Sequence, residues 1–192
     1  AMFRAANAVV LYPSDAVATE KLVEAAAEHV GNVYIRTTRA ETPVIYKNEE
    51  EFVIGGSKTL RSSDSDVATV VGAGITLREA LKAYGELKKE GINIRVIDLY
   101  SVSPIDAATL EKAARDTKVI ITVEDHYGAG GIGEAVASVI EDLRSKIEDL
   151  RTNLIRLSVK KMPRSGKPEE LLGYEEIDAE AIVKVVRELL NK

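Results

Sequence analysis

No cysteine occurs in the 192 residues, which rules out a disulfide framework, a thiolate zinc site and a cysteine nucleophile. Histidine is almost as scarce. Only His29 and His126 are present, far apart, so a histidine-based metal cluster has little to be built from. With no long apolar run and no signal-peptide pattern, the expectation is a cytoplasmic protein without a membrane partner. A basic excess is lacking too. The net charge of −5 argues against a nucleic-acid binder, which normally carries a basic face. Neither glycine-rich loop runs on into G-K-[ST], so a P-loop is excluded.

The residues that are present, 45% hydrophobic and 30% charged, are those of an ordinary globular protein with a real core. The opening Ala1-Met2-Phe3 reads as though the chain begins in mid-protein. Val9 to Tyr12 reads as a short strand stopped by Pro13. Ser14 and Asp15 can then cap a helix with Leu22, Ala25, Ala26 and Val30 at helical spacing. Gly31-Asn32 ends it, Val33 to Thr37 makes a second strand, and "TPVIY" follows in extended form. This strand–helix–strand unit is too short to be a complete domain. Between Lys47 and Asp66 the composition turns to charge, Gly and Ser, which predicts an interdomain linker with an edge strand near Ser57 to Arg61.

Beyond Asp66 strands and helices alternate. Strands are predicted at Val67–Val71, in "INIRVIDL", at Val119–Val123 and in "LIRLSV". Helices are predicted after a Thr76/Glu79 capping box, after Ser103-Pro104 with proline in the first turn, after the second glycine loop, and after an Asp178 cap. Such alternation implies parallel strands with helical crossovers. The expected fold class is α/β: a three-layer α/β/α domain over residues 64–192, its mostly parallel sheet having about five strands. A partial α/β unit over residues 1–48 and a linker over 49–63 precede it.

The stretch "VEDHYGAGGIGEAV" looks most like chemistry, because Gly128-x-Gly130-x-x-Gly133 stands between a strand and a helix. A dinucleotide site also needs an acid at the end of the next strand, and that strand ends in Ser158, Val159, Lys160 and Lys161. Glu124 and Asp125 would moreover repel a pyrophosphate. A structural turn is the better reading. Glu124, Asp125 and His126 cannot all point one way from a strand end, so one carboxylate and His126 are expected to bond backbone or a partner subunit rather than a metal. Arg36 and Arg39 follow a strand, where a parallel sheet places ligands. Either could hold a phosphate or carboxylate, or an ion pair with Glu41 or Glu49–Glu51. The bases of "KKMPRSGKPEELL" could meet a phosphate or another subunit, or remain solvated.

Taken in order, "AMFR", "YPSDAVATEKLV", "YIRTTRAETPVIY", "VVGAGITLREAL", "INIRVIDLYSVSPID", "VEDHYGAGGIGEAV" and "MPRSGKPEELL" resemble the C-terminal part of transketolase across nearly the whole chain. The resemblance implies a thiamine-diphosphate enzyme of the pentose phosphate pathway that moves a two-carbon ketol unit between sugar phosphates. It implies that residues 1–48 end the pyrimidine-binding domain and 64–192 form the C-terminal domain of a homodimer. Thiamine diphosphate and Mg²⁺ would belong to the complete enzyme, on domains or a separate subunit upstream of Ala1, with none bound by this chain. Catalytic and metal residues would therefore be absent here. The one family substrate residue that maps onto the chain is Arg39, resembling the arginine that grips the sugar phosphate; Arg36 has no such counterpart. Other expectations kept open are the same portion of a deoxyxylulose-phosphate synthase, of a 2-oxoacid dehydrogenase β subunit, or a non-catalytic interaction module.

Overall fold

A computed structural model describes residues 6–39 and 41–191. The "AMFR" segment lies outside the described residues. Two sheets organise the chain. The smaller is built from β1 (Val9–Leu11), the helix α1 (Ala16–Glu28) and β2 (Val33–Ile35), with β1 and β2 parallel. Asp15 caps α1, its Oδ1 accepting from Ala18 N–H at 2.7 Å, as its position before the apolar pattern predicts. Val30, expected on the apolar face, lies beyond the helix end and is exposed, because α1 stops at Glu28 and its buried face is only Val17, Ala18 and Leu22.

The larger sheet has the order β3-β5-β4-β7-β8. Its strands are β3 (Lys58–Arg61), β4 (Thr69–Gly72), β5 (Arg95–Asp98), β7 (Val119–Tyr127) and β8 (Asn153–Val159). All neighbours pair in parallel except β3, the predicted edge strand, which runs antiparallel to β5. The helices α2 (Ile75–Lys89) and α6 (Ala179–Leu190) cover one face. The other face carries α3 (Ala107–Asp116) and α4 (Ile132–Lys146). A short α5 (Pro168–Glu175) precedes α6. This is the α/β/α layering that the alternating pattern predicts. The strands Val70–Val71 and Ile120–Ile121 are shut off from water on both faces, and each such side chain contributes about 1.5–3 kcal/mol by its burial.

Between β5 and α3 the chain detours through β6 (Ser101–Ser103), which leaves the large sheet and pairs antiparallel with β1. Tyr100, Phe52 and Tyr46 pack together beneath it, ring centroids about 5 Å apart. The two sheets are therefore joined by the short link Leu99–Tyr100 between β5 and β6 and by an aromatic core. The structure departs from the local expectations at three further places. Pro104 precedes α3 rather than entering its first turn, since Asp106 is the cap, accepting from Thr109 N–H at 3.0 Å. No capping box forms at Thr76, because α2 already starts at Ile75 and Thr76 Oγ1 donates to Val123 O at 2.8 Å. Strand β7 runs four residues past Val123, to Tyr127, by pairing with Val159.

Candidate functional site

In an open parallel sheet, ligands settle at the carboxyl edge where the strand order reverses. Here the chain passes from β4 to β5 on one side and returns to β7 on the other, so the crevice lies between the ends of β4 and β7. It is filled by the chain itself. Tyr12, just after β1, presses its ring against Gly74: a Cβ at that glycine would stand 2.1 Å from Tyr12 Cζ. Gly74 also has φ of 55°, a left-handed backbone that suits glycine. Its N–H donates to Ser14 Oγ at 2.9 Å, and Ser14 in turn donates to Asp98 Oδ1 at 3.0 Å.

Asp98 ends β5 fully buried, and it also accepts from the Tyr46 hydroxyl at 2.6 Å. Burial pushes its carboxyl up to about 7, against the two hydroxyl donors that favour the anion. The same burial, and the charge of Asp98, raise the Tyr46 phenol. Asp15 completes the junction, its Oδ2 accepting from the backbone of Ile45 and Tyr46 at 2.7 and 3.0 Å. Asp98 is not among the residues that the sequence pattern marks. Its signal was a single acid inside the apolar run "VIDLY".

The second glycine loop is closed by Glu124. Its carboxylate accepts from Ile132 N–H at 2.6 Å and Gly133 N–H at 3.1 Å, the place a phosphate takes at a helix start. A Cβ at Gly131 would sit 1.8 Å from Glu124 Oε2, so the glycine is needed for this close approach. Burial raises the Glu124 carboxyl to about 7 while those two amides pull it down. The structural reading of the motif holds, with an addition: the anion cradled at the helix is the chain's own.

Asp125 faces the other way. Its carboxylate receives both arms of Arg36, Nη1 to Oδ1 at 2.9 Å and Nη2 to Oδ2 at 2.8 Å, and its carbonyl takes a third bond from Nη2 at 3.1 Å. The Tyr12 hydroxyl donates to Asp125 Oδ2 at 3.1 Å, and the Arg36 guanidinium lies 4.6 Å from the centre of the Tyr12 ring. Burial, and then the charge of Asp125, raise the Tyr12 phenol. His126 Nδ1 donates to Tyr127 O at 2.8 Å. The three side chains thus diverge, as their spacing predicted, with Glu124 and His126 bonding backbone. Beside His126 a cleft of about 450 Å³ opens, lined by Tyr127, Val159, Pro163, Arg164 and Leu171. The bases near it turn towards α5: Arg164 and Lys161 both lie about 5 Å from the Tyr174 ring.

Arg39 stands apart. It is exposed beyond the end of β2, and among the described residues it takes no hydrogen bond or ion pair. The two arginines of "IRTTR" are thereby separated: Arg36 is committed to Asp125, and Arg39 is exposed. The pairing of Arg36 with Asp125 is not legible in the sequence, since the two lie 89 residues apart.

Neither glycine loop fits a diphosphate, as Glu124 fills one and Tyr12 the other. Fold and site together define an α/β/α scaffold domain whose ligand edge grips a preceding α/β unit. The family model described as "Transketolase, C-terminal domain" matches residues 57–182, and the chain belongs to that family. Human transketolase is 48% identical over 194 aligned residues, which cover 100% of this chain and 30% of that protein. Mouse transketolase-like protein 2 is 50% identical over the same span. Among solved structures, one described as "Split gene transketolase, inactive beta4 tetramer" superposes with a TM-score of 0.84 at 34% identity, covering 96% of this chain and 57% of that one. The chain thus spans about 30% of the length of the curated relatives named here.

Proposed function

We propose that this chain is the C-terminal portion of a transketolase, which moves a two-carbon ketol unit from a ketose phosphate to an aldose phosphate. In this reading residues 1–48 end the pyrimidine-binding domain, 49–63 link it onward, and 64–192 are the C-terminal domain. Thiamine diphosphate and Mg²⁺ are held by domains outside this chain, as the helix starts after both of its glycine loops are filled. The cofactor supplies the carbanion chemistry; this chain contributes a phosphate contact and a rigid support for the homodimer. The assignment to a cytoplasmic pentose phosphate pathway belongs to the same proposal.

The family match over residues 57–182 supports the transketolase reading, and the observation that carries the phosphate contact is Arg39: exposed, past the carboxyl end of β2, and without a partner among the described residues. A guanidinium there can take two phosphate oxygens at once. In the complete enzyme, Arg39→Ala should raise KM for phosphorylated sugars at least tenfold, by roughly the 1.5–3 kcal/mol of a charged hydrogen bond. KM for unphosphorylated sugars should change little. Equal losses on both would remove the phosphate role. Purified by itself the chain should give no ketol transfer with added thiamine diphosphate and Mg²⁺, and turnover by the isolated chain would refute the assignment of the cofactor to other domains.

A further inference from the structure

We infer that Arg36 is a positioning residue for Arg39, its fork on Asp125 fixing the segment that presents Arg39 to the substrate phosphate. This rests on the proposed phosphate role of Arg39 and deepens it. Strand β2 ends at Ile35, and the last backbone bond of its ladder is Arg36 N–H to Leu11 O at 2.8 Å. Among the described residues no hydrogen bond holds Thr37, Thr38 or Arg39. The next anchor is Glu41 O, which accepts from Arg78 Nη1 at 3.3 Å, so on the strand side the segment is held by the side chain of Arg36.

That side chain is over-determined. Two arms and the face of its guanidinium are each engaged, by the two oxygens of Asp125 and by the ring of Tyr12. Asp125 is itself fixed, by the Tyr12 hydroxyl and by its place near the end of β7. The pair is mostly shielded, with side-chain exposures of 32% for Arg36 and 20% for Asp125, so water competes only in part. Arg39 lies three residues on, a reach of about 10 Å in extended chain. A rotation of about 10° at Arg36 would carry Arg39 about 2 Å, enough to lose a two-point hold on a phosphate. Asp125 does a second thing. It neutralises Arg36, leaving Arg39 the cation available to an incoming dianion.

The test is kinetic, in the complete enzyme, with Arg36→Met, Arg36→Lys, Arg39→Ala and the double variant Arg36→Met/Arg39→Ala. Arg36→Met keeps a long stem over Tyr12 and removes the fork. It should raise KM for a phosphorylated sugar about five- to tenfold while kcat, and KM for an unphosphorylated sugar, stay within about twofold. Arg36→Lys, which can reach one carboxylate oxygen but not both, should fall between. Because Arg36 acts through Arg39, the double variant should be no worse on phosphorylated sugar than Arg39→Ala alone. If Arg39→Ala is phosphate-selective and Arg36→Met is not, or if the double variant shows simple multiplication of the two losses, positioning is wrong and the Arg39 reading survives. If Arg39→Ala itself is unselective, the Arg39 reading falls and this inference with it. Should circular dichroism show Arg36→Met misfolded, Arg36→Lys decides by the same criteria.

Discussion

The two glycine loops at the carboxyl edge of the large sheet, residues 72–74 and 128–133, stand at equivalent places, each between a parallel strand and a helix start. Both end on a buried carboxyl. In the later loop Glu124, from the same strand, bonds the helix amides directly. In the earlier one the route runs through the neighbouring unit: Gly74 N–H to Ser14, and Ser14 to Asp98. One loop is closed by its own domain and the other by a segment that docks on it. Filling the first stabilises the domain; filling the second joins the domain to what precedes it. The same backbone device, a helix start that needs an acceptor or a plug, thus serves cohesion at one place and attachment at the other.

The sharpest way to break this symmetry is Gly131→Ala. Its Cβ would enter the space of Glu124 Oε2, at 1.8 Å, and must expel the carboxylate from both amides. The loss should be about 3 kcal/mol or more, a fall in Tm of roughly 6–12 °C, read by thermal melting. In a Glu124→Ala background most of that penalty should vanish, since the clashing group is gone. Additive losses would mean that the glycine serves the backbone instead.

Gly74→Ala should cost about as much and act elsewhere. It meets both a positive φ, worth about 1–2 kcal/mol, and the Tyr12 ring, whose Cζ would stand 2.1 Å from the new Cβ, for about 3 kcal/mol in all. Hydrogen exchange should quicken at Val9–Leu11 and Val33–Ile35 while β4 and β7 stay protected. Uniform loss of protection across both sheets would show that the two units melt as one, and the contrast between the loops would disappear.

These consequences were only partly legible in the sequence. The layered fold and the caps at Asp15, Asp106 and Asp178 depend on local pattern, and local pattern is what a sequence displays. Edge strand β3 announced itself by its charge for the same reason. Thr76 and Glu79 had the right spacing for a capping box, yet both were claimed by distant partners: Thr76 by Val123 O, and Glu79 by Ala179 N–H, 100 residues on. Strand β7 outran its apolar run because its pairing with β8, and not its hydrophobicity, carries it to Tyr127. At the site, the missing ribose acid was enough to reject a dinucleotide. That Glu124 would take the phosphate's place, and Arg36 would reach Asp125, needed the three-dimensional arrangement.

The last test asks whether the two carboxyls behave alike. Both Asp98 and Glu124 are raised to about 7 by burial. A raised carboxyl keeps its proton in the folded chain while the unfolded chain, with an ordinary value near 4, has lost it. Stability from these groups is therefore full below about pH 4, declines as pH rises towards 7, and is level above that. Each contributes a slope of up to about 1.4 kcal/mol per pH unit within the window. Asp98→Asn should remove one of the two slopes and leave the hold on Gly74 largely intact, because an amide oxygen still accepts from Ser14 or Tyr46. Glu124→Gln should remove the other slope but lower stability at every pH, since its NH₂ must face a helix amide. Urea melts between pH 4 and 8 would read both. If Asp98→Asn left the pH profile unchanged, Asp98 would be ionised throughout, and the earlier loop would be held by a charge where the later one is held by a titrating acid.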